Sequence, residues 1–176
     1  PEDGGDAVTL LKNADAAMYR AKDAGRDGHV RYSAELSDAS RSKLELGNAL
    51  HAAVRDGSFE LHYQPVVDTC RGKLIACEAL LRWPGAPAGA RTPDRFIPEA
   101  EESRLIVPLG EWIMREAIGR MSAWVAAGLD LDYVSVNISA VQMAQPGFAD
   151  RIVALLREGG LPGQRLQIEL TENVLL

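Results

Sequence analysis

Cys77-Glu78-Ala79-Leu80-Leu81-Arg82-Trp83 sets an acid and a base inside an otherwise apolar run, and the rest of the chain is read outward from it. Ionised side chains seldom sit in such a run without a partner, because each carries a desolvation cost. If Leu74 to Arg82 is a strand, side chains alternate between faces, so Glu78 and Arg82 point the same way, about 13 Å apart at roughly 3.3 Å per residue. That arrangement suits a cation at one and an anion at the other. It equally suits a strand end with one solvated acid and one surface arginine, and the neighbouring segments have to decide.

Just before this run, Phe59 to Val67 alternates, with Phe59, Leu61 and Tyr63 on one face and Glu60, His62 and Gln64 on the other. This predicts a strand with one polar face. The connection Asp68-Thr69-Cys70-Arg71-Gly72 is too short for a crossover, so the two strands must pair as an antiparallel hairpin. Downstream, Pro84 to Pro93 reads as a loop, and Thr92-Pro93 as the cap and first residue of a helix that Phe96-Ile97-Pro98 interrupts early. Leu109 to Ala127 is predicted helical, closed by Gly128, with Trp112, Ile113, Ala117, Met121 and Trp124 at core spacing. Tyr133 to Ile138 and Arg165 to Thr171 read as strands flanking a helix over Phe148 to Glu158. Strands alternating with helices imply that the sheet turns parallel after its opening hairpin.

Strands of a parallel sheet are covered on both faces and normally read as continuous apolar runs. Here three of them each carry a polar exception: Glu78, Asn137 and Glu169. Two carboxylates and an amide are the hard oxygen donors that Mg2+ or Mn2+ prefers. At the carboxyl ends of neighbouring parallel strands, Asn137 and Glu169 would meet where barrel enzymes keep their sites. Each has a plain alternative: Asn137 as a strand-end turn residue, Glu169 as the cap of a following helix, Glu78 at the surface.

Upstream, Asp6 can cap a helix over Ala7 to Ala24, with Val8, Leu11, Ala14, Met18 and Ala21 on one face and Gly25 as its stop, followed by a short strand, His29 to Tyr32. Ser37 to Asp56 reads as a mostly polar helix with apolar positions at Leu44, Leu46, Leu50, Ala53 and Val54, ended by Gly57, and serves as a stiff linker.

Composition narrows the function classes. The chain has 176 residues, 47% of them hydrophobic, enough for a real core. A net charge of −6 with scattered acids excludes a nucleic-acid polymer as partner. Cys70 and Cys77 form no zinc-type pair and read as reduced thiols. No apolar run is long enough to span a bilayer and the acidic start is unlike a signal peptide, which predicts a cytoplasmic chain. The absence of an initiator methionine and the apolar ending Val174-Leu175-Leu176 predict a piece of a longer protein.

Tyr63-Gln64-Pro65, Glu78-Ala79-Leu80-Leu81-Arg82-Trp83, Phe96-Ile97-Pro98 with Ala100-Glu101, Val136-Asn137-Ile138-Ser139 and Glu169-Leu170-Thr171-Glu172 together resemble, in order and spacing, the EAL family of cyclic di-GMP phosphodiesterases. Ahead of them, Leu10 to Lys22 with Gly25-Arg26 resembles the closing helix and strand of a GGDEF diguanylate cyclase domain, whose catalytic hairpin is not present. Gly4-Gly5-Asp6 is not that hairpin, since Ala7 and Val8 stand where its second acid and phenylalanine would be.

The two resemblances imply an α/β chain in three parts: residues 1–36 as a helix-strand remnant of a GGDEF domain, 37–57 as a linker helix, and 58–176 as the N-terminal half of an EAL domain. The implied architecture of the last part is a partial TIM-like (β/α) barrel with an antiparallel first strand. They further imply Glu78, Asn137 and Glu169 as ligands of Mg2+ or Mn2+, Gln64 and Arg82 as contacts to cyclic di-GMP with Arg82 at a phosphate, and Glu172 as the glutamate steadying a loop near the metals. The implied reaction is metal-dependent hydrolysis of one phosphodiester bond to linear pGpG. The family's second-half Asp-Asp-Phe-Gly segment, lysine and further glutamate are not in this chain, so the expectation is half a barrel and half a site, inactive by itself. A receptor that binds cyclic di-GMP without turnover is the alternative. Pairing of two copies through the EAL domain is compatible with the sequence but not demanded by it.

Overall fold

The computed structural model describes residues 5–23 and 28–170. The chain divides into two compact units, Pro1–Asn48 and Ala49–Leu176.

In the first unit α1 runs over Ala7–Asp23. Its N-terminus is capped as expected: Asp6 Oδ1 accepts from Thr9 N at 2.9 Å and Oδ2 from Thr9 Oγ1 at 2.9 Å. These bonds stabilise the charged carboxylate and hold the Asp6 carboxyl below its usual range. The predicted apolar stripe is not the buried one. Val8 is 77% exposed and Leu11 68%, whereas Asn13 and Ala17 are buried, so the packed face is rotated away from the stripe. The predicted strand at His29 to Tyr32 does not form: residues 28–33 are irregular, and no partner strand lies beside them among the described residues. The expected stop at Gly25 lies outside the described residues. Helix α2, Ala34–Asp56, begins three residues ahead of expectation and ends at Gly57, whose φ of +68° is the left-handed stop that glycine adopts without strain.

The second unit is built on a four-stranded sheet in the order β1-β2-β3-β4. Strand β1, Glu60–Asp68, and β2, Lys73–Arg82, form the antiparallel hairpin that the loop length requires, in the register Gln64↔Glu78, with a bulge between Val66 and Val67. Asp68 Oδ1 ties the turn by accepting from Cys70 N at 2.9 Å and Arg71 N at 3.2 Å, and Gly72 takes φ +62°. Strands β3, Tyr133–Ile138, and β4, Leu166–Leu170, then add in parallel.

Between the strands run α3, Pro93–Glu102, α4, Ile106–Ala126, the short α5, Ala140–Met143, and α6, Phe148–Glu158. Pro98 does not interrupt α3 as expected; it lies inside the helix. Its missing N–H forfeits one backbone bond, and the fully buried Phe96 and Ala100 on either side hold the turn together. Helix α5 was not foreseen.

The core lies on one face of the sheet. Val134, Val136 and Ile138 of β3 and Cys77, Ala79 and Leu81 of β2 are buried there, with α4 packed on β3 through its own buried residues, Ile113, Ala117 and Met121 among them. Of the tryptophans, Trp83 is buried in the core, whereas Trp112 and Trp124, expected there, are half-buried and pack on other aromatic rings at its border. Trp83 and Phe96 meet edge to face at 5.5 Å, Phe59 packs against Trp83 at 5.5 Å and Trp112 at 6.4 Å, and Trp124 lies T-shaped on Tyr63 at 4.8 Å.

Candidate functional site

The opposite face of the sheet carries the polar residues, and the register sorts them into rows. Gln64, Glu78, Ser135 and Gln167 are cross-strand neighbours in one row. Asn137 and Glu169 are neighbours in the next row toward the carboxyl ends, each one residue from the end of its strand. Adjacent strands lie about 4.8 Å apart, so five polar side chains from β2, β3 and β4 converge within about two pleats. Their placement follows from parity: the flanking Val134, Val136 and Ile138 seek the core, which turns Ser135 and Asn137 the other way.

Side-chain bonds tie the rows together, the shorter of them from Asn137 Nδ2, which donates to Glu78 Oε1 at 2.7 Å. With its amide nitrogen committed, Asn137 keeps its carbonyl oxygen as a donor of electron pairs. Glu169 is half-buried, and its Oε1 accepts from Gln167 Nε2 at 3.3 Å. Glu78, Asn137 and Glu169 thus present two carboxylates and an amide on one sheet face, a donor set that fits a hard divalent cation. No group of three or more His, Cys, Asp and Glu suited to a metal occurs among the described residues. Any cation held here must draw the rest of its shell from elsewhere, such as water or phosphate oxygens.

Arg82, the last residue of β2, is half-buried and donates through Nη1 to Leu81 O at 2.8 Å. It lines a cleft of about 410 Å3 at the carboxyl ends of β2 and β3, together with Leu80, Ile97, Pro98, Glu101 and Asn137. Gln64 is exposed on the same sheet face, opposite Glu78. The structure therefore brings Gln64, Glu78, Arg82, Asn137 and Glu169 to one face; Glu172 lies outside the described residues.

Ser135 shares this face with Asn137, as the alternation of β3 implies, whereas Gln167 was missed as a member of it. Ser135 is only 1% exposed, between Glu78 and Gln167 in register. Gln167 was readable from parity alone, since it shares its face with Glu169 two residues on.

Residues 47–176 match the family described as EAL domain. The bifunctional diguanylate cyclase/cyclic di-GMP phosphodiesterase MucR of Pseudomonas aeruginosa is 39% identical over 173 residues, 98% of this chain and 25% of MucR. The cyclic di-GMP phosphodiesterase PdeR of Escherichia coli is 36% identical over 176 residues, 100% of this chain and 26% of PdeR. Among solved structures, the PaMucR phosphodiesterase in its c-di-GMP complex superposes with a TM-score of 0.68 at 39% identity, over 73% of this chain and 52% of that one. The Xanthomonas citri FimX EAL domain in complex with c-diGMP gives 0.64 at 27% identity, over 78% and 53%. The chain thus spans about a quarter of the length of these relatives and about half of these solved chains.

Proposed function

The chain belongs to the EAL domain family, and from that premise we propose that it supplies the first half of a site that hydrolyses cyclic di-GMP to linear pGpG. Its relatives bear the names of cyclic di-GMP phosphodiesterases, and solved neighbours are complexes with that dinucleotide. The observation that carries the reading to this chain is the hydrogen bond from Asn137 to Glu78, with Glu169 in register beside Asn137.

In this reading Glu78, Asn137 and Glu169 hold Mg2+ or Mn2+. The ion, when bound, supplies an activated water and offsets the charge developing on phosphorus. Arg82 binds and orients a phosphate by charge-assisted hydrogen bonds, and the cleft beside it receives part of the ligand. Gln64 contacts the dinucleotide from the hairpin strand, and Glu172 steadies a loop near the cation. Residues 1–36 are the end of a GGDEF domain, 37–57 a linker helix and 58–176 the N-terminal half of an EAL domain; the match to MucR, a bifunctional cyclase and phosphodiesterase, runs over 98% of the chain and supports that division.

The 176-residue chain alone is expected to lack turnover, because two carboxylates and one amide do not complete a metal site. The test is cyclic di-GMP hydrolysis with Mn2+ or Mg2+, on this chain and on a version extended by a full-length relative's following segment, each beside Glu78→Ala. Turnover by the extended protein that disappears in Glu78→Ala supports the enzyme. Binding without turnover would replace it by the receptor reading, and no binding by either would overturn both.

A further inference from the structure

Strand β3 passes directly into α5, and the join is locked from a second element. Ser139 and Gln142 form a capping box: Gln142 N donates to Ser139 Oγ at 3.4 Å, and Ser139 N donates to Gln142 Oε1 at 3.1 Å. Both residues are only 5% exposed. The other end of the Gln142 amide lies over Gly110 of α4. A Cβ at Gly110 would stand 1.7 Å from Gln142 Nε2 and 2.7 Å from its Cδ, so a side chain there and Gln142 cannot share the space. Gly110 sits within regular helix and is not among the glycines of positive φ, so its role is room. Gln142 also borders the cleft that contains Arg82 and Asn137.

We propose that Gln142, seated in the notch at Gly110, is the positioning residue that fixes the Asn137 end of β3. The proposal rests on the reading of Asn137 as a metal ligand. Asn137 is exposed, and its donor atom is held by a bond to Glu78; the direction in which it leaves the sheet is set by the backbone. Two residues later that backbone is pinned at Ser139 N, by Gln142 Oε1. Without this acceptor a buried N–H is left unpaired, and the turn relaxes to find another partner. The packed helix α4 thereby sets the ligand geometry on the far face of the sheet, through one glutamine. Partners that orient metal ligands typically alter affinity about 10–100-fold when removed.

The experiment uses the 176-residue chain with Mn2+ as the probe. Two readouts are taken: the Mn2+ dissociation constant, and the position and width of the Asn137 side-chain amide signal in metal-free 15N spectra, assigned with Asn137→Asp. Gln142→Ala and Gly110→Ala should each weaken Mn2+ binding about tenfold. Each should also move or broaden the Asn137 signal. The double variant should be no worse than either single one, because the alanine methyl occupies space that Gln142 has vacated. Gln142→Glu, which keeps an acceptor for Ser139 N, should recover most of the loss. A Gln142→Ala chain that melts at lower temperature while Mn2+ affinity and the Asn137 signal stay as in the wild type would overturn the proposal, since a purely structural role predicts that pattern. If the wild type binds no Mn2+, the half-site does not hold the ion by itself, the metal reading is decided on the extended protein, and the Asn137 signal here decides the positioning role.

Discussion

Replacing Asn137 by Asp inverts the interaction that joins β3 to β2 on the polar face. In the wild type, Asn137 Nδ2 donates to Glu78 Oε1 at 2.7 Å. A bond to a charged acceptor contributes about 1.5–3 kcal/mol when shielded, and exposure of one partner brings this one down to about 1 kcal/mol. Asn137→Asp removes it and sets a second carboxylate near the first. Two unit charges about 4 Å apart repel by about 1 kcal/mol even in water-like surroundings. The sum is about 2 kcal/mol of destabilisation without metal, or roughly 4–8 °C in melting temperature for a chain of this size. Asn137→Ala loses the bond without adding the repulsion, and should cost about half as much. A divalent cation reverses the order of the two variants. At about 100 times its dissociation constant a ligand adds about 2.7 kcal/mol to the folded state, and Asp can share in that gain where Ala cannot. Thermal unfolding of the three proteins, with and without millimolar Mn2+, measures all of this. Equal melting temperatures for Asp and Ala without metal would show that position 137 does not face the Glu78 carboxylate. Equal Mn2+ stabilisation of both would remove Asn137 from the metal site.

Tyr63 gives a pH test. Its hydroxyl is buried with no well-formed hydrogen bond among the described residues, and burial, with the Glu116 charge adding and Arg120 opposing through its charge and its proximity to the hydroxyl, pushes its pKa up to about 12. The unfolded chain loses this proton near pH 10, before the folded one does, so its contribution to stability falls as pH rises from about 10 to about 12. Tyr63→Phe should be as stable as the wild type or about 1 kcal/mol more so at neutral pH, and its urea midpoint should decline less between about pH 9 and 11. Phe96→Ala, which opens a hole between Phe59 and Trp83, should cost about 3–5 kcal/mol and abolish cooperative melting before it affects any site residue directly. Amide exchange should be slower by orders of magnitude in β3 than in β4, whose Ile168 and Leu170 are 39% and 45% exposed on the face where β3 is sealed.

What the sequence made legible was whatever two residues of local pattern or one short loop determine. The Asp68 to Gly72 connection leaves only an antiparallel hairpin, and period-two alternation is enough to put Glu78, Asn137 and Glu169 on the polar face. The failures share a cause in long-range packing. Val8 and Leu11 form a clean helical stripe, yet the buried positions of α1 are Asn13 and Ala17, because burial depends on what packs there and not on the helix's own period. Pro98 reads as a breaker until Phe96 and Ala100 are seen to be sealed into the core. Residues 29–32 have strand composition, but a strand needs a neighbour. The Gly110 notch could not be read at all, since it exists only where Gln142, 32 positions on, folds back over α4.

The three candidate ligands are not equally well held, and the difference follows from their strands. Asn137 stands on β3, whose core-side residues Val134, Val136 and Ile138 are fully sealed, and it is tied to Glu78. Glu78 stands on β2, paired on both sides, between β1 and β3. Among the described residues, Glu169 stands on β4, which pairs with β3 alone, with its neighbours Ile168 and Leu170 partly exposed and one 3.3 Å contact from Gln167. A strand paired on one side fluctuates more than one paired on both. In the proposed reading a cation held by this chain would meet two better-tied ligands and one less tied, and ordering the third would subtract from its affinity. Whatever covers Ile168 and Leu170 also stiffens Glu169, so packing on the apolar face of β4 and cation affinity on its polar face are coupled through one strand.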